Sequence, residues 1–395
     1  MGDRFCFLAI VRDESPVIER CLQSVRNLAT SYLICDTGSE DDTIEKIENF
    51  LKEANVPGEV IRTEWVSYGE TKSYLFEQFR NHPTLNGAEY ICWLDADEVF
   101  VTRKDDPLSY PTKEDAEQLY QYLKSRSENV FMLTTLYANL NYQRWQIARN
   151  DQLYQWRLPY QEYFTGTSYT RTHNIDFLYN LARKEGNSSR DPDITKKRVK
   201  MAEAWLSRQT KDRKNHDYAR MLFYLAEAYT YMPGDDENGM SYKQKAIEMY
   251  RERFECEGYY QEKYIGAIRA STLVPAPEKL GLLLWAVELI PDRLEAIHEL
   301  MMYYYKKGDH RKAAAIGYLA PENRIPPSDA LFVDAEVWNY LFDMNWSVSC
   351  HYAGHDETAV RVGEALVSRG TVPEGPNRKI AIDNVGYFRA KLNQK

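Results

Sequence analysis

The chain has 395 residues, 44% of them hydrophobic and 13% aromatic, which is enough apolar material for two or three folded domains. Its formal net charge of −9 argues against a general nucleic-acid-binding surface, because phosphate backbones are bound mainly by clustered Lys and Arg. We therefore expect a folded protein that has no nucleic acid among its partners.

The first half of the sequence alternates between short apolar runs and helical patterns. Phe5 to Val11 is predicted as the first strand, and Ser15 and Pro16 are predicted to cap and begin the helix that follows. Further strands are predicted at 32–35, 59–63 and 90–94, with helical segments between them. This β-α repetition indicates an α/β domain whose parallel strands are covered on both faces.

Polar residues follow three of the four predicted strands, at positions 12–14, 36–42 and 95–98. The carboxyl ends of parallel strands form the edge at which open α/β sheets bind ligands. Asp95 and Asp97 could hold a hard divalent cation there through oxygen, and such a cation can neutralise a diphosphate leaving group. Taken alone, this acidic triplet is equally compatible with a solvated surface turn.

Three motifs occur in a fixed order: Arg12-Asp13-Glu14, Asp36-Thr37-Gly38-Ser39 and Trp93-Leu94-Asp95-Ala96-Asp97-Glu98. Together they resemble the nucleotide-diphospho-sugar-binding core of family-2 glycosyltransferases of the GT-A fold, and they span about a quarter of the chain. The resemblance implies an α/β, Rossmann-like domain with a mixed sheet.

The resemblance also implies roles for individual residues. Glu14 and Asp36 are expected to hold the nucleoside, with Arg12 and Ser39 beside them in the nucleotide-sugar site. Asp95 is expected near the ribose and the metal, and Asp97 is expected to ligate Mn²⁺ or Mg²⁺ on the diphosphate. For Asp36 to Ser39, an ordinary capped loop that opens a helix is the alternative.

The sequence departs from the family pattern at three places. Relatives often carry Lys-Asn-Glu where this chain has Arg12-Asp13-Glu14. Relatives often carry Arg-Asn after the third strand, where this chain has Lys72, which would supply positive charge without the fork of an Arg or would be a solvated helix lysine. Relatives also often carry Trp-x-x-x-x-His-Glu, where this chain reads Trp156 to Glu162 without the histidine. Glu162 is the predicted general base. His173 is either a substitute metal ligand or a surface histidine.

The stretch 137–164 is rich in Tyr, Trp, Asn, Gln and Arg. Such a composition suits stacking on a sugar ring and hydrogen bonding to its hydroxyls. Aromatic side chains that pack against the edge of the sheet would have the same composition. Both interpretations stay open at the level of sequence.

After about residue 190 the pattern changes to long amphipathic helices, so we predict a GT-A catalytic domain at 1–190 and an all-α domain at 191–395. Segments such as 223–229 and 304–313 resemble degenerate tetratricopeptide hairpins. This second domain could bind an acceptor or partner, form a homodimer, or brace the catalytic domain.

Neither the start of the sequence nor any later segment has the apolar length of a signal peptide or a transmembrane helix. The six cysteines include no C-x-x-C pair, which favours a reducing, cytoplasmic location and argues against structural zinc.

The sequence thus predicts a metal-dependent glycosyltransferase that moves a sugar from a nucleotide-diphosphate donor to an acceptor hydroxyl, such as that of a glycan, with inversion. A non-catalytic helical-repeat scaffold with a vestigial sugar-nucleotide domain is the alternative. A nucleotidyl- or phosphotransferase would also need paired aspartates, but the chain lacks the corresponding phosphate-binding loop.

Overall fold

The structure is a computed structural model that describes residues 4–137, 140–168, 170–327 and 330–394. The chain divides into two compact units, Met1–Ser207 and Arg208–Lys395. The domain boundary predicted between residues 190 and 191 stays a prediction. The helix Ile194–Ser207 belongs to the first compact unit.

The first unit contains ten strands and six helices within the described residues. The strands are β1 (Phe5–Val11), β2 (Ser31–Asp36), β3 (Gly58–Arg62), β4 (Tyr90–Trp93), β5 (Glu98–Val101), β6 (Val130–Tyr137), β7 (Leu140–Arg149), β8 (Tyr154–Arg157), β9 (Tyr163–Gly166) and β10 (Thr172–Ala182). The helices are α1 (Ile18–Val25), α2 (Thr43–Ala54), α3 (Tyr68–Asn81), α4 (Lys113–Lys124), α5 (Asn187–Arg190) and α6 (Ile194–Ser207).

Eight of these strands form one mixed sheet in the order β3-β2-β1-β4-β7-β6-β10-β5, and β8 pairs with β9 in a separate hairpin. The first four strands of that order run parallel, as the sequence predicts. From β7 onward the sheet becomes mixed, because β7 pairs antiparallel with both β4 and β6, and β10 pairs parallel with β6 but antiparallel with β5. The predicted α/β domain with a mixed sheet is confirmed.

Both faces of the sheet are covered by apolar layers. One face packs against the buried sides of α1, α2 and α4, and the other packs against α3 and the aromatic residues of β8 and β9. Strands β1, β2 and β4 are buried on both faces, which explains why they appear in the sequence as continuous apolar runs.

The predicted start of the first helix is wrong. Helix α1 begins at Ile18, and no side chain caps it. The backbone oxygen of Glu14 instead accepts hydrogen bonds from the amides of Val17 and Ile18, both at 2.9 Å, which makes a turn before the helix. The hydroxyl of Ser15 accepts a hydrogen bond from Lys46 Nζ at 2.8 Å and does not serve as the cap.

In the described part of the second unit, helices are joined by turns and loops, with one isolated β-bridge between Asp235 and Ser241. Its helices are α7 (His216–Thr230), α8 (Tyr242–Glu255), α9 (Tyr260–Ser271), α10 (Glu278–Leu289), α11 (Leu294–Tyr305), α12 (His310–Gly317), a π-helical turn (Val337–Leu341), α13 (Phe342–Tyr352), α14 (Asp356–Arg369) and α15 (Pro376–Leu392). Each helix from α7 to α14 packs on the next along the chain. The predicted all-α domain is confirmed, whereas its likeness to tetratricopeptide repeats stays a prediction.

None of the helices in the described parts of the chain combines the length and the apolar character required to cross a membrane.

Candidate active site

The three acidic segments predicted to converge do leave the sheet at one edge. Val11, the last residue of β1, is paired in parallel with Asp36, the last residue of β2. Leu8 of β1 is likewise paired in parallel with Trp93 of β4, which leads directly to Asp95. Because all three strands run in the same direction, the loops that begin at residues 12, 37 and 94 lie along a common rim.

The loops after β1 and β2 are interlocked. The buried carboxylate of Asp36 accepts hydrogen bonds from the amides of Gly38 and Ser39, both at 3.1 Å. The hydroxyl of Ser39 in turn accepts a hydrogen bond from the amide of Asp13 at 3.0 Å. Arg12 is exposed on this rim, with its Nε 3.9 Å from Asp13 Oδ2. The structure brings Asp36, Ser39 and Arg12 to one rim, and their contacts with a nucleotide stay a prediction.

Lys72 joins two of the predicted site residues. Its Nζ donates hydrogen bonds to Asp95 Oδ1 at 3.1 Å and to Glu162 Oε1 at 2.8 Å. Nζ also lies 4.7 Å from the centre of the Trp156 ring, a cation–π contact that helps to hold the long side chain in place. Lys72 is therefore not a solvated helix lysine, since only 12% of its side chain is exposed.

A close backbone approach brings Glu162 to Lys72. Gly69 in the first turn of α3 lies against the loop after β8, where a Cβ atom would be 2.1 Å from the carbonyl oxygen of Leu158. The neighbouring amide of Tyr68 donates to the carbonyl of Pro159 at 3.0 Å. Any side chain at position 69 would push the two segments apart. The glycine thus lets the loop that carries Glu162 dock on the helix that carries Lys72.

Arg144 of β7 forms the other side of this group. Its guanidinium is ion-paired with Glu98 through Nη1 and lies 3.5 Å from Asp95 Oδ2 through Nη2. The Glu98 carboxylate is only 4% exposed and also accepts the amide of Asp95 at 3.2 Å. Both carboxylate oxygens of Asp95 therefore face a cation, Lys72 on one side and Arg144 on the other.

The titration of these groups follows from their neighbours. Partial burial opposes ionisation of Asp95, but Lys72 and Arg144 outweigh it and lower the pKa of Asp95 to about 2. Burial likewise disfavours the ammonium of Lys72, yet Asp95 and Glu162 raise its pKa. Burial raises the pKa of Glu98 against the opposing pull of Arg144. Lys72 and Asp95 are thus both charged at neutral pH.

Asp97 lies in a different environment, beside Glu14. Its Oδ2 accepts the backbone amide of Gly186 at 2.9 Å, and the two carboxylate oxygens of Glu14 accept the amide of Asn187 at 3.0 Å. Within the described part of the chain, the cation paired with Glu14 is Arg190, whose Nη2 lies 3.7 Å from Glu14 Oε2 and whose side chain is 45% exposed. Burial is the main reason that the pKa of Glu14 rises to about 7, and the proximity of Asp97 adds to it.

The chemistry of Asp97 and Glu14 fits a hard divalent cation. A Cβ on Gly186 would lie 3.2 Å from Asp97 Oδ2 and 3.1 Å from Glu14 Oε1, so the two carboxylates surround one point. Mg²⁺ is usually bound through one or two carboxylates together with substrate phosphates, and Mn²⁺ has the same preference for oxygen. No three ligating side chains are grouped within the described parts of the chain, so the diphosphate would have to complete the ligand set.

His173 is not brought to this rim. It lies at the start of β10, where it pairs with Phe131 near the start of β6. Both positions are at the opposite edge of the sheet from Asp95, because β6 runs antiparallel to β7, which itself runs antiparallel to β4. The imidazole Nε2 is 2.7 Å from the hydroxyl of Tyr122. The structure therefore places His173 with Tyr122 and away from Asp97.

Four of the eight aromatic residues in the stretch 137–164 are packing residues. Ala138 and Asn139 of this stretch lie outside the described residues. Tyr154 and Phe164 stack on each other at 4.7 Å and are buried, and Trp145 and Trp156 pack against the same apolar cluster. Tyr142, in contrast, is 44% exposed. These four aromatic side chains therefore pack against the sheet, on the face that α3 covers, as the second of the two interpretations predicts.

Sequence reasoning missed Arg144 and the segment at Gly186 and Asn187. Arg144 lies in a polar stretch that gives no local signal of a buried ion pair, because its partner Glu98 is 46 residues away. Gly186 and Asn187 act through backbone amides, which no side-chain motif reveals. The one sequence signal for this segment is Gly186 itself, because a glycine allows the backbone to lie close to the carboxylates of Glu14 and Asp97.

Comparison with known proteins identifies the domain that carries this site. Residues 6–185 match the model of the family described as Glycosyl transferase family 2. No curated protein sequence matches the chain significantly.

Among solved structures, S. aureus TarS residues 1–349 with UDP-GlcNAc has 12% identity and a TM-score of 0.37, and the match covers 80% of this chain and 87% of that one. The same protein with UDP has 10% identity and a TM-score of 0.34 over 99% and 91% of the two chains. MamA has 16% identity and a TM-score of 0.31 over 52% and 96%. On the family match, residues 6–185 of this chain form a glycosyl transferase family 2 domain.

Proposed function

We propose that this chain is a metal-dependent, inverting glycosyltransferase that moves a sugar from a nucleotide diphosphate to an acceptor hydroxyl. The observation that carries the proposal is the double contact of Lys72, whose ammonium lies within 3.1 Å of both Asp95 and Glu162. One carboxylate comes from the predicted nucleotide side and the other from the predicted acceptor side, so the two halves of a transfer site meet at one cation.

Glu162 is the proposed general base. It lies on the loop between β8 and β9, and 15% of its side chain is exposed. In a single displacement, a carboxylate removes the acceptor proton while the acceptor oxygen attacks the anomeric carbon from the face opposite the diphosphate. The bond from Lys72 holds the Glu162 carboxylate in one orientation, which is the positional requirement for such a proton transfer.

Asp97 and Glu14 are proposed to hold Mn²⁺ or Mg²⁺ together with the diphosphate. The cation would neutralise the charge that develops on the departing diphosphate. Asp95 is proposed to bind the nucleotide side of the donor, because both of its oxygens already face Lys72 and Arg144. Arg12, Asp36 and Ser39 would complete the nucleoside pocket on the neighbouring loops.

A donor screen tests the proposal. The purified chain is incubated with UDP, GDP and dTDP sugars and Mn²⁺, and release of the nucleoside diphosphate is measured with and without a chelator. We expect one donor class to be hydrolysed slowly with water as acceptor, and the rate to fall to background when the metal is removed. Full activity without metal would contradict the metal role.

Calorimetry separates this proposal from the non-catalytic alternative. An active domain should bind at least one nucleoside diphosphate more tightly when Mn²⁺ is present. Absence of metal-dependent binding to UDP, GDP and dTDP would favour a scaffold with a vestigial domain. The acceptor, and a homodimer formed through the helical unit, stay predictions.

A further inference from the structure

Arg144 is connected to the candidate site through a continuous chain of charges. In order, the chain consists of Glu162, Lys72, Asp95, Arg144 and Glu98, which alternate in sign. Each neighbouring pair lies within hydrogen-bonding or ion-pairing distance. The five side chains come from four segments of the fold, since Asp95 and Glu98 lie only three residues apart, so the network ties together elements that are distant in sequence.

The position of Arg144 in the network is specific to an arginine. Its Nη1 engages Glu98 while its Nη2 faces Asp95 Oδ2 at 3.5 Å, so one planar fork spans two carboxylates. A lysine has one nitrogen on a flexible stem and cannot present two fixed donors in this way. Glu98 anchors the fork, since its carboxylate is almost completely buried and is also bonded to the amide of Asp95.

We propose that Arg144 is a positioning residue for sugar transfer: anchored by Glu98, it fixes the carboxylate of Asp95 and, through Lys72, the orientation of Glu162. This inference rests on the proposed function, because it needs Asp95 and Glu162 to act in the transfer. Without Arg144, Lys72 is the one cation that the described residues leave beside Asp95. The Lys72 ammonium would then be free to follow Asp95 away from Glu162.

The experiment compares four variants with the wild-type chain: Arg144→Gln, Arg144→Lys, Glu98→Gln and the double variant Arg144→Gln/Glu98→Gln. Each is assayed for turnover of the donor found in the screen, for affinity to the matching nucleoside diphosphate with Mn²⁺, and for thermal unfolding. Gln143→Ala is the matched control, since Gln143 lies next to Arg144 on β7 but is exposed and bonds to Thr134.

Arg144→Gln leaves the buried Glu98 carboxylate without its cation, so it should lower the Tm by on the order of 10 °C. Its kcat/KM should fall on the order of 100-fold, the size of loss that misplacement of about 1 Å can cause. The double variant also removes the charge of Glu98, so it should recover most of the Tm that Arg144→Gln loses. We expect it not to regain kcat/KM, because nothing then holds the second oxygen of Asp95.

The remaining variants isolate the role of the fork. Arg144→Lys keeps the charge but should recover only part of the lost turnover, and its donor KM should rise in step with weaker nucleotide binding. Glu98→Gln alone should lower turnover, but by less than Arg144→Gln, because the single amide oxygen of glutamine can accept only one of the two bonds that Glu98 accepts from Arg144 and from the amide of Asp95, while the guanidinium still faces Asp95 Oδ2. Gln143→Ala should match the wild type.

Two results would overturn the inference. If the double variant regains both Tm and turnover, Arg144 serves stability alone. If Arg144→Lys recovers the full turnover and nucleotide affinity of the wild type, the two fixed donors of the guanidinium are not what positions Asp95. A wild-type chain that neither binds nor turns over any of the nucleotides contradicts the proposed function itself, whatever the variants show.

Discussion

Asp95 and Asp97 are separated by one residue, yet their surroundings differ in charge. Asp95 has a cation on each of its oxygens, Lys72 and Arg144. Asp97 has the backbone amide of Gly186 and the neighbouring carboxylate of Glu14. The negative charge is thus compensated around Asp95 and largely uncompensated around Asp97.

This difference suggests that Asp95 and Asp97 have different roles. A divalent cation gains most where carboxylates lack partners, because it need not displace an ammonium or a guanidinium. A nucleotide, in contrast, can use a carboxylate that is already held in a fixed direction. The comparison favours Asp97 for the proposed metal and Asp95 for the proposed contact with the donor's nucleotide side, and the following predictions test or sharpen this proposal.

The largest expected effect is that of Asp97→Asn. The amide keeps the shape and the bond from Gly186 but loses the charge that a cation requires. We expect metal-dependent turnover to fall by about 10³-fold, which corresponds to about 4 kcal/mol of transition-state stabilisation. Calorimetry with the nucleoside diphosphate should show that added Mn²⁺ no longer strengthens binding.

Asp151→Asn is a suitable control for this change, because Asp151 bonds to Tyr154 within the same domain and is not part of the rim. The assignment of the metal to Asp97 is wrong if Asp97→Asn retains Mn²⁺-dependent binding of wild-type strength.

Glu162→Gln should give the second-largest effect. The amide can still accept the bond from Lys72, but it cannot take a proton from the acceptor. We expect kcat to fall by about 10²-fold, with little change in the donor KM. Steady-state kinetics with a fixed acceptor would measure this split. A rise in donor KM with unchanged kcat would show that Glu162 binds the donor instead.

The two halves of the sheet also differ in how well the sequence predicts them. Strands β1, β2 and β4 are buried on both faces, so each appears as an apolar run followed by polar residues. Their shared rim, with Glu14, Asp36 and Asp95, could therefore be predicted from local pattern alone. The parallel registers of the structure confirm it.

The other half gives a weaker signal. Strand β7 contains Asn, Gln and Arg between its apolar residues, and β5 and α4 were not predicted at all. Side chains of these elements, such as Gln146 and Arg144, are satisfied by partners far away in sequence, namely the carbonyl of Trp93 and the carboxylate of Glu98. Local periodicity cannot reveal such partners. For the same reason the contact between Lys72 and Glu162 was visible only in the fold.

Glu14→Gln tests the uncompensated charge by its effect on stability. The pKa of Glu14 is raised to about 7 from an ordinary value of 4.5, so between these pH values the folded chain binds more protons than the unfolded chain. Folding stability should therefore fall as pH rises through this window. The loss should be about 2 kcal/mol between pH 5 and pH 8 after a discount for the remaining exposure of the side chain.

Urea unfolding of the wild type, Glu14→Gln and the exposed control Glu19→Gln at the two pH values would measure this contribution. Glu14→Gln should flatten the pH dependence, and Glu19→Gln should leave it unchanged. Equal slopes in all three proteins would show that Glu14 ionises as freely as a surface carboxylate.

The smallest effect is expected for His173→Ala, the third residue predicted as a metal ligand. The imidazole bonds to Tyr122 at the far edge of the sheet, so its loss should cost about 1 kcal/mol of stability and leave Mn²⁺-dependent nucleotide binding within twofold of the wild type. Calorimetry on His173→Ala and Asp97→Asn side by side gives the sharpest contrast, because both residues were predicted as ligands from sequence and only one lies on the rim. A weakened response to Mn²⁺ in His173→Ala would mean that the cation is bound at the opposite edge of the sheet, and the charge comparison between Asp95 and Asp97 would then have no bearing on the metal.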